Sequence, residues 1–257
     1  MATSSVTDEQ LTGILAGYAG MVAHVVRDPQ RWLGVDDDPP ASASLPARVL
    51  DAVRDRAVGE VTPASEEWAR QPAGRRVDWW VRRIGLTAGL AAAAPRFAGA
   101  IADRVPLQSA LGASASGLAV CAAAREHGVT DPADWVPLLG TVLFGRDLVP
   151  APDSVPATDA ERALEEAAED PTEPPSAMEA LGDGAKRTVR TLWRLARSFL
   201  EVDDLLDRRP RGGIVTRTLA RLPVVGVAGG WLDERTAIRT SAKRTTQLVA
   251  TGAPQRR

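Results

Sequence analysis

Three carboxylates stand at Asp203, Asp204 and Asp207, and Arg208 and Arg209 follow directly. On a helix, this spacing puts acidic oxygens on adjacent turns, where they hold Mg²⁺, and an arginine pair beside the metal holds a diphosphate. The simpler reading of the same residues is a solvated helix end with local ion pairs. A second chemistry is cationic. Arg187, Arg190, Arg194 and Arg197 recur at helical spacing, as do Arg235, Arg239 and Lys243. A basic stripe of this kind lies on an anionic membrane or an acidic partner, or is simply the wet side of a bundle helix.

Other reactive residue types are few. The one cysteine, Cys121, sits among alanines and reads as a buried, inert thiol. Of the two histidines, His24 falls on a helical face as a structural residue, and His127 falls where a helix ends, favouring the local dipole. The stretch GASASG (112–117) does not bracket its serine as a nucleophile elbow does, and no strand precedes it. GVAGG (226–230) lacks the lysine and hydroxyl of a phosphate loop. No cofactor is expected, and the chain reads as non-enzymatic unless the 203–207 carboxylates act.

The elements that must position these residues read as helices throughout. Thr7-Asp8-Glu9-Gln10 is a capping box. Leu11, Ile14, Leu15, Tyr18, Val22, Val25 and Val26 then follow helical spacing until Asp28-Pro29. A loop over 34–44 carries the triplet Asp36-Asp37-Asp38, and Leu45 to Gly59 reads as a helix. Gln71 to Gly74 is a break. Helix follows from 75 to a stop at Pro95, then from about 107 to 126, with Gly128 in the C′ role. Asp131-Pro132 opens a further helix through Trp135, Leu138, Leu139, Val142, Leu143 and Phe144. No run of alternating β-branched residues appears anywhere. The expected class is all-α, an irregular multi-helix bundle.

Domain organisation follows from one composition shift. Residues 150–175 are rich in proline and carboxylates, with Arg162 the one cation, and read as a solvated acidic linker with a short helix near 159–168. It divides an N-terminal helical part (1–149) from C-terminal helices (176–257), which are expected to pack back as one composite domain. The linker is also long and acidic enough to cover one of the basic stripes. Within 176–208, Val189, Leu192, Trp193, Ala196, Phe199 and Leu200 face one way and the arginines the other.

Charge, hydropathy and small residues bound the function. With 31 Lys and Arg against 33 Asp and Glu, the net charge is −2, which argues against a nucleic-acid binder. The longest uncharged run, Val105 to Ala124, is mostly Ala, Ser and Gly, so it suits close helix packing better than lipid. Leu222 to Leu232 is too short to span a bilayer. Gly226 and Gly230, like Gly85 and Gly89, clear one helix face so that backbones approach, with Pro223 in the first turn. Trp79-Trp80, flanked by Arg75, Arg76, Arg82 and Arg83, is the mixture found at membrane interfaces, though tryptophan is also a good core residue. The first residues, MATSSVTDEQ, lack a signal peptide's cationic start. The expectation is a cytoplasmic protein, peripherally membrane-associated.

Three stretches in order resemble the bacterial EcsC family. IGLTAGLAAAAPRFAGAIADRVPLQSALGASASGLAVCAAAREHGV (84–129) has its two small-residue helices, the Asp-x-x-Pro step at Asp103 to Pro106 and the His-Gly end. DPADWVPLLGTVLFG (131–145) is similar to its Asp-Pro helix, and LPVVGVAGGWLDERTAIRTSAKR (222–244) to its Pro-Val-Val-Gly turn into a terminal helix. Leu232-Asp233 stands where that family has asparagine, and the long acidic linker departs from it. The resemblance implies a non-catalytic helical protein working with the membrane beside an ABC transporter, with a membrane surface or membrane protein as partner. The alternative, Asp203-Asp204-Leu205-Leu206-Asp207, resembles the DDxxD signature of prenyl-diphosphate synthases and implies a Mg²⁺-dependent enzyme. That family pairs two such motifs, and here Asp36 to Asp38 lacks the spacing.

Overall fold

A computed structural model describes residues 6–34, 61–97, 105–151, 156–166, 183–200 and 225–252, with the side chains of most of them. Among the described residues eight α-helices run in the order α1 (Asp8–Arg27), α2 (Pro29–Leu33), α3 (Ala73–Phe97), α4 (Val105–Glu126), α5 (Pro132–Leu139), α6 (Ala157–Glu166), α7 (Asp183–Leu200) and α8 (Val225–Ala250). Among the described residues there is no strand. The helix expected over 45–59, the Asp36-Asp37-Asp38 triplet, Pro223 and the carboxylates Asp203, Asp204 and Asp207 lie outside the described residues.

Local chemistry sets the helix ends. Thr7 Oγ1 accepts from the Gln10 N–H at 3.2 Å and the Thr7 N–H donates to Gln10 Oε1 at 3.0 Å, closing the capping box that starts α1. Asp28 ends α1 and begins α2, its carboxylate accepting from the Arg31 N–H at 3.0 Å with Pro29 in the first turn. At the end of α4, Gly128 adopts φ 92°. The Gly128 N–H then bonds Arg125 O, and the Val129 N–H reaches back to Ala124 O at 3.0 Å. That pair of bonds is a Schellman motif, and buried Val129 supplies its apolar contact. α5 passes through Pro137 into a π-helical turn, Gly140–Phe144, which Gly145 closes in the left-handed region. α3 does not stop at Pro95 as its sequence suggested. It runs two residues further, to Phe97, with Pro95 in its last turn.

Everything is built around α4. Residues 110–124 of this helix are buried on every side, which is why its sequence shows no polar stripe. α3, α7 and α8 pack directly on it, α8 also packs on α3, and α1 and α5 complete the enclosure. Alanine, serine and glycine keep α4 thin, so that many neighbours contact it at once. Gly117 marks the tightest approach. A β-carbon there would lie 2.7 Å from the Tyr18 hydroxyl of α1, and that hydroxyl donates to Ser114 O at 2.6 Å. No helix among the described residues is long and apolar enough to cross a membrane.

The tryptophan pair proves to be core and not an interface. Trp79 and Trp80 are 2% and 1% exposed, stacked edge to face at 5.0 Å, and Trp68 meets Trp79 at 5.3 Å. Trp80 Nε1 donates to Glu126 Oε1, and Arg76 Nε donates to the other oxygen of the same carboxylate. Arg83 is buried, donating to Leu33 O and Gly34 O at 2.6 and 2.9 Å. The arginines that seemed to flank an interfacial pair are thus partly spent on tying α3 to the ends of α4 and α2.

The acidic stretch also differs from a solvated linker in its described part. α6 packs on α1, burying Ala160 and Leu164. Glu161 and Glu165 pair with Arg31 of α2.

Candidate functional site

The two basic stripes differ once folded. On α7, Leu192, Leu195, Ala196 and Phe199 face the core. Arg187 and Arg190 are exposed, but Arg194 and Arg197 are only half-exposed. All four already make interactions within the chain. The inward face carries two hydroxyls that the sequence reading passed over. Thr188 Oγ1 donates to Leu33 O at 2.7 Å and Thr191 Oγ1 to Trp32 O at 2.6 Å. α7 therefore satisfies carbonyls at the end of α2 that no intrahelical N–H reaches.

On α8 the cations split. Arg235 is half-buried and engaged within the chain. Its stem lies over Gly85 of α3, where a β-carbon would come within 3.4 Å of Arg235 Cγ. Gly85 thus meets the Arg235 stem at ordinary contact distance. Gly89, Gly226 and Gly230 fall within α3 and α8, but what they meet lies outside the described side chains. One and two turns beyond Arg235, Arg239 and Lys243 are exposed, and so is Arg244, which the i, i+4 count from Arg235 passed over. No described residue forms an ion pair with these three. Residues 235–257 contain no aspartate or glutamate, so the face keeps its charge. The buried side of the same helix, Ile238, Ser241, Ala242 and Thr245, anchors it.

The remaining candidates are structural. Cys121 is fully buried, and that burial pushes its thiol well above the usual range, so little thiolate forms near neutral pH. Ser114 Oγ donates to Leu192 O at 3.1 Å inside the core. Arg125 is partly buried and donates to Val26 O, and burial followed by the nearby charge of Arg27 lowers its basicity. No group of three or more potential metal ligands occurs among the described residues.

One groove of about 260 Å³ opens between α1, α6 and α7, lined by Gly13, Ile14, Gly17 and Met21 on the α1 side. Against known proteins, the chain matches no family model, no curated protein and no solved structure.

Proposed function

We propose that this chain is a non-enzymatic helical accessory protein that sits on an anionic membrane surface through α8, beside an integral membrane partner of the transporter type. The observation that carries the reading is the exposed Arg239, Lys243 and Arg244 face, left without described counter-charges. The resemblance to the EcsC family supports the membrane partner. The tryptophans lend no support, being core residues. Each cation near an anionic surface contributes about 1 kcal/mol, so three give about 3 kcal/mol at low salt. That energy is enough for reversible attachment and weak enough to be screened as ionic strength rises.

Flotation of the whole protein with liposomes tests this directly. Wild type is expected to float with anionic vesicles at low salt, to sink at high salt, and to ignore neutral vesicles. Replacing Arg239, Lys243 and Arg244 together by glutamine is expected to leave it at the bottom, with its circular dichroism unchanged. A triple variant that floats as well as wild type would remove α8 as the contact.

A further inference from the structure

The ten residues of α6 make a helix too short to persist alone, so its order depends on what it touches. Ala160 and Leu164 are its described buried apolar residues. Among the described residues Arg31 adds an ion-pair fork, its Nη1 meeting Glu161 Oε1 at 2.8 Å and its Nη2 meeting Glu165 Oε1 at 2.7 Å. Trp32 steadies that guanidinium, with its ring centre 4.8 Å away. The three charged side chains are 51%, 36% and 55% exposed, so salt screens the fork.

Beneath α6 the fit is incomplete. The groove of about 260 Å³ runs along α1, with Ala160 and Ala163 of α6 on its other wall. A β-carbon on Gly13 or Gly17 would meet nothing within 4 Å. Small residues line much of the groove, together with Ile14, Met21, Asp159 and Ser198, and leave part of the space unfilled.

We propose that α6 occupies, in cis, a docking site for an acidic amphipathic helix of a partner protein. The fork of Arg31 selects two carboxylates one helical turn apart, as Glu161 and Glu165 show. The groove beside it takes a side chain larger than the alanines α6 offers. A partner helix with glutamates at i and i+4 and a leucine where α6 has Ala163 satisfies the same fork and fills the groove, displacing α6. This site is separate from the cationic face of α8 and does not depend on it.

The probe is a labelled synthetic peptide of residues 156–166 with Ala163 replaced by leucine, titrated into the full chain by fluorescence anisotropy. Leu164→Asp expels α6 from α1 and is expected to tighten peptide binding by roughly tenfold, the gain expected when a competing occupant is removed. Adding Arg31→Glu to that variant is expected to abolish the gain, and high salt to weaken it. Equal binding by wild type and Leu164→Asp, or indifference to Arg31→Glu, would overturn the proposal. So would loss of cooperative unfolding in Leu164→Asp, because the rest of the fold would then depend on α6 staying in place. Glu161→Lys with Glu165→Lys, which keeps Leu164, repeats the measurement by opening the fork alone and must give the same direction.

Discussion

Gly117 and Tyr18 show what a single hydrogen in place of a methyl group does here. The ring of Tyr18 lies across Gly117, its hydroxyl is fixed on Ser114 O, and Phe199 packs against it at 4.7 Å between ring centres. Gly117→Ala therefore puts a methyl where the ring cannot retreat. Overpacking of this kind costs about 1–3 kcal/mol, read as a lower urea midpoint with unchanged slope. Paired with Tyr18→Leu, the loss should be much less than the sum of the two single losses, because the clash is shared. The sequence placed Gly117 in a small-residue helix but could not pair it with Tyr18, since nothing local links two residues so far apart along the chain. Cys121 was legible, because a cysteine among alanines on an uncharged helix has one natural environment. Its thiol should resist a disulfide reagent in the folded protein near neutral pH and react at once in denaturant. Rapid modification of the native chain would contradict its burial.

At the level of elements, signals carried within a few residues were readable and signals carried between helices were not. Thr7 with Gln10, Asp28 with Pro29, Gly128 and Asp131 each announce an end through their own backbone neighbours. Trp79 and Trp80 were ambiguous because arginines beside tryptophans describe both an interface and a buried seam. The choice was made by Glu126, far along the chain, which binds Arg76 and Trp80 together. Thr188 and Thr191 are the same kind of case. Threonine at i and i+3 on an apolar helix face is a faint sign of distant acceptors, which here are Leu33 O and Trp32 O. Thr191→Val keeps the shape and removes the donor, leaving the Trp32 carbonyl short of a partner in the core at a cost of about 1–3 kcal/mol. Thr191→Ser restores the donor and should recover most of that loss in thermal melts. If the valine variant melts with wild type, the hydroxyl is not what holds α7 to α2.

For the whole molecule, the decisive fact is that residues 110–124 of α4 have no outside. Its residues 110–124 are covered by helices from both ends of the chain, with α8 among the neighbours packed closest on it and on α3. All-α class and small-residue packing could be read from spacing and composition. The identity of α4 as the centre could not, because an unpatterned Ala-Ser-Gly helix says only that it is surrounded, not by what. That arrangement predicts how the molecule fails. A chain ending at residue 224 removes α8 and uncovers one side of α4 and α3 together. The described part of α4 is rich in alanine, and small side chains repack poorly over an uncovered face, so the remaining helices lose their common core. Such a chain is expected to bind a hydrophobic dye, to lose near-ultraviolet dichroism from its buried tryptophans, and to unfold without a sharp transition. Retention of a cooperative melt would mean that the helices before α8 form a sufficient core on their own. In that case α8 would be an attachment carried by the bundle, and its cationic face could be removed without disturbing the fold beneath.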